Sequence, residues 1–269
     1  MEPRTVLTAF VITLFAGLAT GIGGALSLLT SRTNTKFLSV ALGFSAGVMI
    51  YVSFVEIFFN AKDILVAEMG TKAGTWLTTG GFFFGMLLIG FIDKVVPSAE
   101  NPHEMHTVEE MDGKSEWHKA NLMRMGVITA LAVGIHNFPE GLATFTAALH
   151  DLQLGIPIAI AIAIHNIPEG IAVAVPVFYA TNDRKKAFRM SFLSGIAEPI
   201  GALVGYLLLF RFFNDIVLGF VFASVAGIMV YISLDELLPS AREFGEHHLS
   251  IYGLISGMAV MALSLLLFM

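Results

Sequence analysis

Long runs of apolar residues constrain this chain more than any other feature of its sequence. A helix crosses the hydrocarbon core of a bilayer with about 20 consecutive apolar residues, because each residue advances it by about 1.5 Å. Only 13% of the 269 residues are charged, and 56% are hydrophobic. Apolar runs of spanning length lie at residues 5–30, 37–60, 74–97, 121–149, 153–180, 187–211, 214–239 and 249–269. The sequence therefore predicts an all-α integral membrane protein of one domain with eight transmembrane helices, numbered 1 to 8 in chain order.

Composition and charge exclude several other classes of protein. The chain has no cysteine, which excludes disulfides and thiolate metal sites and favours nitrogen and oxygen ligands for any metal. The net charge is -6, and no basic run is longer than Arg184-Lys185-Lys186, so nucleic-acid binding is not expected. The first apolar run is too long for the apolar region of a signal peptide, and we interpret it as a retained transmembrane helix.

The basic residues predict how the chain is oriented in the membrane. Most of the 15 Lys and Arg residues fall on the loops of one side of the predicted bundle. Because basic loops are typically cytosolic, we expect both termini outside and the long polar segment at residues 98–120 in the cytosol. This segment contains His103, His106 and His118. We interpret it as a solvated linker, with weak metal binding by its histidines as the alternative.

An internal repeat runs through the apolar helices. Helix 4 contains the hexapeptide HNFPEG at residues 136–141, and helix 5 contains HNIPEG at residues 165–170. Further alignments without gaps pair residues 47–56 with 227–236, 17–23 with 195–201 and, more weakly, 81–86 with 253–258. Each alignment joins an odd-numbered helix to an even-numbered one, so the partners run in opposite directions. The pattern predicts inverted repeats of helices 1–3 versus 6–8 and of helix 4 versus 5, as in many secondary transporters.

Each hexapeptide places one imidazole and one carboxylate on the same side of its helix. His136 and Glu140 are four residues apart, as are His165 and Glu169. Ionisable groups at membrane depth are costly and usually mark an ion or proton pathway. A mixed set of imidazole, carboxylate and amide ligands suits Zn(II), Fe(II), Mn(II) or Co(II), and the number of imidazoles favours zinc. Calcium or magnesium would require oxygen ligands alone.

Four other side chains are candidate metal ligands. Asn137 and Asn166 add amide oxygens, and Glu198 adds a carboxylate deep in helix 6. These three groups predict a second metal position beside the first, bridged by a hexapeptide glutamate. The alternatives are that the histidines hold helices 4 and 5 together by hydrogen bonds, and that Glu198 pairs with a helix end or carries a proton. Met49 in helix 2 is either a core residue or a weak thioether ligand.

These features together resemble the ZIP (Zrt-, Irt-like protein) family of metal transporters, especially its bacterial members. The likeness rests on the paired HN-x-PEG motifs, the histidine-bearing loop before helix 4, and eight predicted helices with both ends outside. The resemblance implies a 3+2+3 helix arrangement, a homodimer, and uptake into the cytosol by an elevator-like motion. It also implies a binuclear mid-membrane site formed by His136, Asn137, Glu140, His165, Asn166, Glu169 and Glu198, with Met49 joining the first position.

We therefore expect a transporter in the cytoplasmic membrane rather than an enzyme, with no catalytic cofactor. Its cargo is a divalent transition metal, namely zinc, with iron, manganese, cobalt or cadmium as alternatives. Export of the same ions is one alternative function, because the chemistry of the site has no direction. An intramembrane metal-dependent hydrolase is another. It is disfavoured because the chain has no His-Glu-x-x-His motif and because an inverted repeat has no evident use in hydrolysis.

Overall fold

The computed structural model describes residues 3–27, 35–95, 116–209, 214–244 and 247–268, and within these ranges the chain is almost entirely helical. We label the helices α1 to α8, in the order of the predicted helices 1 to 8. Five are unbroken: α1 (Pro3–Ser27), α3 (Thr71–Val95), α4 (Glu116–His150), α5 (Leu152–Thr181) and α8 (His247–Phe268). Three consist of consecutive helical segments: α2 (Thr35–Val52, Ser53–Ile57, Phe58–Met69), α6 (Arg184–Gly195, Ala197–Leu209) and α7 (Asp215–Ile232, Ser233–Leu237, Leu238–Phe244).

Seven of the described helices are long and apolar enough to cross a membrane, namely all except α4. This confirms the prediction of an all-α protein with several membrane-spanning helices. The eighth span stays a prediction for α4, which is 35 residues long. This helix begins at Glu116, within the segment predicted to be a loop. His103 and His106 lie outside the described residues, as does the side chain of His118.

The helices pack in two groups of four. Group A consists of α1, α4, α5 and α6, and group B consists of α2, α3, α7 and α8; helices contact mainly members of their own group. The groups meet chiefly where α2 packs against α5 and where α7 packs against α4. Large apolar side chains such as Phe15, Trp76, Leu87 and Leu207 are more than half exposed on the outside, as expected of surfaces that face lipid.

Glycines bring the backbones of group A into direct contact. A Cβ at Gly23 in α1 would overlap the carbonyl oxygen of Ile167 in α5. Likewise, a Cβ at Gly201 in α6 would overlap the carbonyl oxygen of Phe138 in α4. Small residues allow such close approach between membrane helices. The two contacts correspond residue for residue under the alignment of helix 1 with 6 and of helix 4 with 5.

Equivalent contacts occur in group B. A Cβ at Gly47 in α2 would overlap the carbonyl oxygen of Leu254 in α8, and one at Gly227 in α7 would overlap that of Phe82 in α3. These contacts also correspond under the sequence alignment, including its weakest part, which pairs helix 3 with helix 8. The similarity between those two helices is therefore matched by the way in which each packs.

Two short π-helical segments interrupt α2 and α7. The N–H of Phe58 donates to the carbonyl of Ser53, and that of Leu238 donates to the carbonyl of Ser233, so each hydrogen bond spans five residues instead of four. The segments begin at positions that the repeat aligns, Ser53 in α2 and Ser233 in α7. Single π turns inside α-helices occur frequently at functional sites.

Candidate functional site

Both hexapeptides lie in the interior of long helices. The backbone of α4 remains helical through Pro139, and that of α5 remains helical through Pro168. Because proline has no N–H, the carbonyls of Ile135 and Ile164 lose the hydrogen bond that a helix normally provides from four residues ahead. Each motif thus combines polar side chains with a weakened point in its own helix.

The predicted polar side chains of the site that the structure describes are all buried within the protein. The imidazole of His165 and the carboxylate of Glu140 are both 0% exposed, and His165 Nε2 lies 3.3 Å from Glu140 Oε2, which links α5 to α4. The backbone of His136 is part of α4, but its side chain lies outside the described residues. The other buried members are Asn137, Asn166, Glu169 and Glu198.

Asn166 connects three helices of group A. Its Nδ2 atom donates to the carbonyl oxygen of Ala16 in α1 at 2.9 Å and to Oε1 of Glu198 in α6. The carboxylate of Glu198 in turn interacts electrostatically with those of Glu140 and Glu169. The structure therefore brings together the three glutamates that the sequence analysis selected from three separate helices.

Several oxygen atoms in this cluster have no hydrogen-bond partner among the described residues. They are Oδ1 of Asn137, Oε1 of Glu140, Oδ1 of Asn166 and Oε2 of Glu198. The amide nitrogens of both asparagines donate to protein, in the case of Asn137 to the carbonyl of Ser194 at 3.3 Å, which leaves the amide oxygens for another partner. An unsatisfied buried polar group costs about 1–3 kcal/mol. A divalent cation would satisfy several of these oxygens at once.

The described side chains are not arranged as a complete metal site. Among them, no three His, Asp or Glu groups converge closely enough to hold one ion. Mutual repulsion between carboxylates works against such convergence, and a cation would reverse it. The donor set therefore fits a divalent metal in its chemistry and in its unsatisfied oxygens.

Met49 is on α2, the helix of group B that packs against α5. One helical turn before it, the hydroxyl of Ser45 donates to the carbonyl oxygen of His165 at 3.3 Å, so this side of α2 faces α5 at the motif. The Met49 side chain is completely buried. Its role as a ligand stays a prediction, since burial alone is equally typical of a core methionine.

Two contacts with the motif were not predicted from the sequence, one from α1 and one from α2. The carbonyl of Ala16 and the hydroxyl of Ser45 contact the motif asparagine and histidine of α5 directly. Thr20, which the repeat aligns with Glu198, has a buried hydroxyl with no hydrogen-bond partner among the described residues. Small residues in apolar runs give no sequence signal for such contacts. The alignment of Thr20 with Glu198 is the one feature of the sequence that indicates a role for this part of α1 in the site.

A bundle of apolar helices that encloses a cluster of imidazole, carboxylate and amide groups defines a multi-pass membrane protein with an interior polar site. The chain belongs to the ZIP zinc transporter family, whose model matches residues 94–265. It is 64% identical over 263 residues to the zinc transporter ZupT of Lysinibacillus sphaericus, covering 97% of this chain and 98% of the relative. It is also 64% identical over 276 residues to the zinc transporter ZupT of Nitratidesulfovibrio vulgaris, covering all of both chains. The ZupT of Clostridium perfringens is 61% identical over 277 residues, covering 98% of this chain and 97% of the relative.

Proposed function

We propose that this protein takes up divalent transition metal ions, principally zinc, into the cytosol across the cytoplasmic membrane. The observation that carries the proposal is the cluster of buried carboxylate and amide oxygens that have no hydrogen-bond partner in the described part of the chain. Burying such groups without compensation is costly, and a cation is the partner that their chemistry fits. The relatives named zinc transporters support zinc as the cargo.

Two metal positions account for the donor set. The first uses His136, Glu140, His165 and Glu169, with Met49 as a weak further ligand. The second uses Asn137, Asn166 and Glu198, and Glu140 or Glu169 bridges the two positions. Three carboxylates neutralise most of the charge of two divalent cations, which reduces the cost of placing them at membrane depth. Because imidazoles bind metal only when neutral, the affinity falls as the pH drops.

The architecture that we propose has eight transmembrane helices in two inverted repeats with a 3+2+3 arrangement, with α4 as the eighth span. The repeats are supported by the equivalent backbone contacts that Gly23 and Gly201 make in group A, and by those that Gly47 and Gly227 make in group B. The basic loops support a cytosolic segment before α4 and external termini. The division into groups A and B supports an elevator-like motion in which group A carries the site, and the family resemblance supports a homodimer.

Purified protein in sealed liposomes is expected to take up radioactive zinc down a zinc gradient without ATP. The chain contains no Walker A pattern that would bind nucleotide phosphates. Uptake is measured by filtration, with protein-free liposomes as the control. A strict requirement for ATP would contradict the proposal, and cleavage of lipid or peptide by a preparation that takes up no zinc would favour a hydrolase instead.

The Glu198→Ala variant is expected to bind one metal ion per protomer instead of two and to transport more slowly. Glu198 bonds to Asn166, while its repeat equivalent in α1 is Thr20, so only one of the two aligned helices supplies a carboxylate here. Metal titration of the purified protein measures the stoichiometry. Asp235→Ala, which removes an exposed carboxylate of α7, is the matched control and should keep two ions. Two ions bound with unchanged affinity in Glu198→Ala would assign Glu198 to helix packing or proton transfer.

A further inference from the structure

One side of α2 continues from the candidate metal site toward the end of the helix. Ser45, Met49 and Ser53 follow one another at intervals of four residues, and all three are completely buried. The contact of the Ser45 hydroxyl with the carbonyl of His165 fixes this side of α2 against α5. Ser53 then lies about 12 Å along the helix from Ser45, given a rise of about 1.5 Å per residue.

The hydroxyl of Ser53 has no hydrogen-bond partner among the described residues. A serine in a helix usually donates to the carbonyl four residues earlier, which here belongs to Met49. The aligned residue in α7 makes that bond, since Ser233 donates to the carbonyl of Met229 at 2.7 Å. Both serines begin a π-helical segment, and both follow the sequence Met-x-Tyr-x. The local sequence therefore does not explain why the Ser53 hydroxyl is left without a partner.

The two serines lie on opposite sides of the site in the proposed orientation. Helix α2 runs outward from the cytosol, so Ser53 is on the external side of His165. Helix α7 runs inward, so Ser233 is on the cytosolic side. Both serines are in group B, and each lies one helical turn beyond the methionine that the repeat aligns, Met49 in α2 and Met229 in α7. A buried polar atom without a partner among the described residues thus lies on the external side, one helical turn beyond Met49.

We propose that the Ser53 hydroxyl is a transient ligand for the hydrated metal ion between the external surface and the binuclear site. This inference rests on the proposed function. A neutral hydroxyl replaces one water molecule of the ion without adding charge, so it holds the ion weakly. Weak binding suits a position that an ion must both reach and leave quickly. Ser233, whose hydroxyl is bonded in this structure, is the repeat-related counterpart on the cytosolic side.

A single introduced thiol tests whether ions pass Ser53. Because the chain has no cysteine, Ser53→Cys carries the only thiol in the protein. We expect it to react with a charged, membrane-impermeant methanethiosulfonate reagent added outside, and excess zinc is expected to slow the reaction. Its uptake should also shift in favour of cadmium over manganese, because a thiolate prefers soft metals. Ser256→Cys in α8, whose hydroxyl bonds to Gly253, is the control and should show no protection by zinc.

The Ser53→Ala variant distinguishes a role of Ser53 in ion passage from a role in folding. We expect its initial zinc uptake rate to fall by about fivefold, the effect of losing one neutral polar contact. Its two bound metal ions and its melting temperature should not fall, since alanine removes a hydroxyl that has no protein partner. Uptake equal to that of the wild type, or a lack of zinc protection in Ser53→Cys, would overturn the inference. Failure of the wild type itself to transport zinc would instead contradict the proposed function.

Discussion

The Glu169→Gln variant is expected to lose zinc uptake and most of its bound metal while it still folds and enters the membrane. Glu169 is only 1% exposed, and its carboxylate acts electrostatically on that of Glu198 in the neighbouring helix. Glutamine keeps the shape of the side chain but removes the charge that a bridging ligand shares between two cations. Losing a group that only supports a ligand already costs about 10- to 100-fold in affinity. The loss of a bridging ligand should exceed that range.

Three further variants make this test specific. Asn166→Ala and Asn137→Ala each remove an amide oxygen but no charge, so both should retain more uptake than Glu169→Gln. Glu68→Gln removes an exposed carboxylate at the end of α2 and should behave as the wild type. Zinc uptake and metal content are measured on the same preparations. Near-normal transport by Glu169→Gln would remove this residue from the proposed site.

The Gly141→Ala variant is expected to be much less stable than the wild type, although it adds only one methyl group. A Cβ at Gly141, the last residue of the first hexapeptide, would overlap the backbone of Glu198 in α6. The clash is with backbone atoms, so α4 and α6 must separate. Overpacking of this kind costs about 1–3 kcal/mol in the free energy of unfolding. Zinc binding at the second position should also weaken, because Glu198 is displaced.

Two glycines serve as controls for Gly141. Gly80→Ala adds its methyl group where no atom lies within 4 Å, so the melting temperature in detergent should stay constant or rise, since alanine favours helix more than glycine. Gly170→Ala would overlap the backbone of Thr20 in the aligned contact and should lower the melting temperature as Gly141→Ala does. Its effect on the second metal position should be smaller, since Thr20 supplies no carboxylate. A Gly141→Ala variant as stable as Gly80→Ala would show that α4 and α6 can relax apart freely.

The membrane fold and the core of the candidate site were predictable from two unusual patterns. Apolar runs of spanning length are rare in soluble proteins, and ionisable residues are rare inside such runs. Apolar runs of spanning length leave few alternatives to transmembrane helices. Ionisable residues such as Glu140 and His165 inside those runs are costly enough to require a function. The alignment of the repeats also indicated which helices would pack in equivalent ways, and the contacts of Gly23 and Gly201 agree with it.

Other features of the site could not be predicted from the sequence. The carbonyl of Ala16 contacts Asn166, but any residue has a carbonyl, so no side chain marks this position. The π-helical segments begin at Ser53 and Ser233 within runs that read as ordinary apolar helix. The two serines follow the same Met-x-Tyr-x pattern but have different hydrogen bonds, so this pattern does not determine the bonds. Such differences arise from how helices meet, and periodicity and composition carry no information about that.

The glycine contacts also bear on how relatives of this protein can diverge. Among the described glycines, each close backbone approach joins helices of group A to one another or helices of group B to one another, and none joins the two groups. A methyl group added at one of these close approaches therefore forces two helices of the same group apart, whereas no described glycine makes such a contact at the boundary between the groups. Evolution can adjust the speed of transport and the choice of metal along that boundary at little cost to stability. Relatives that differ in these properties should carry most of their functional substitutions there.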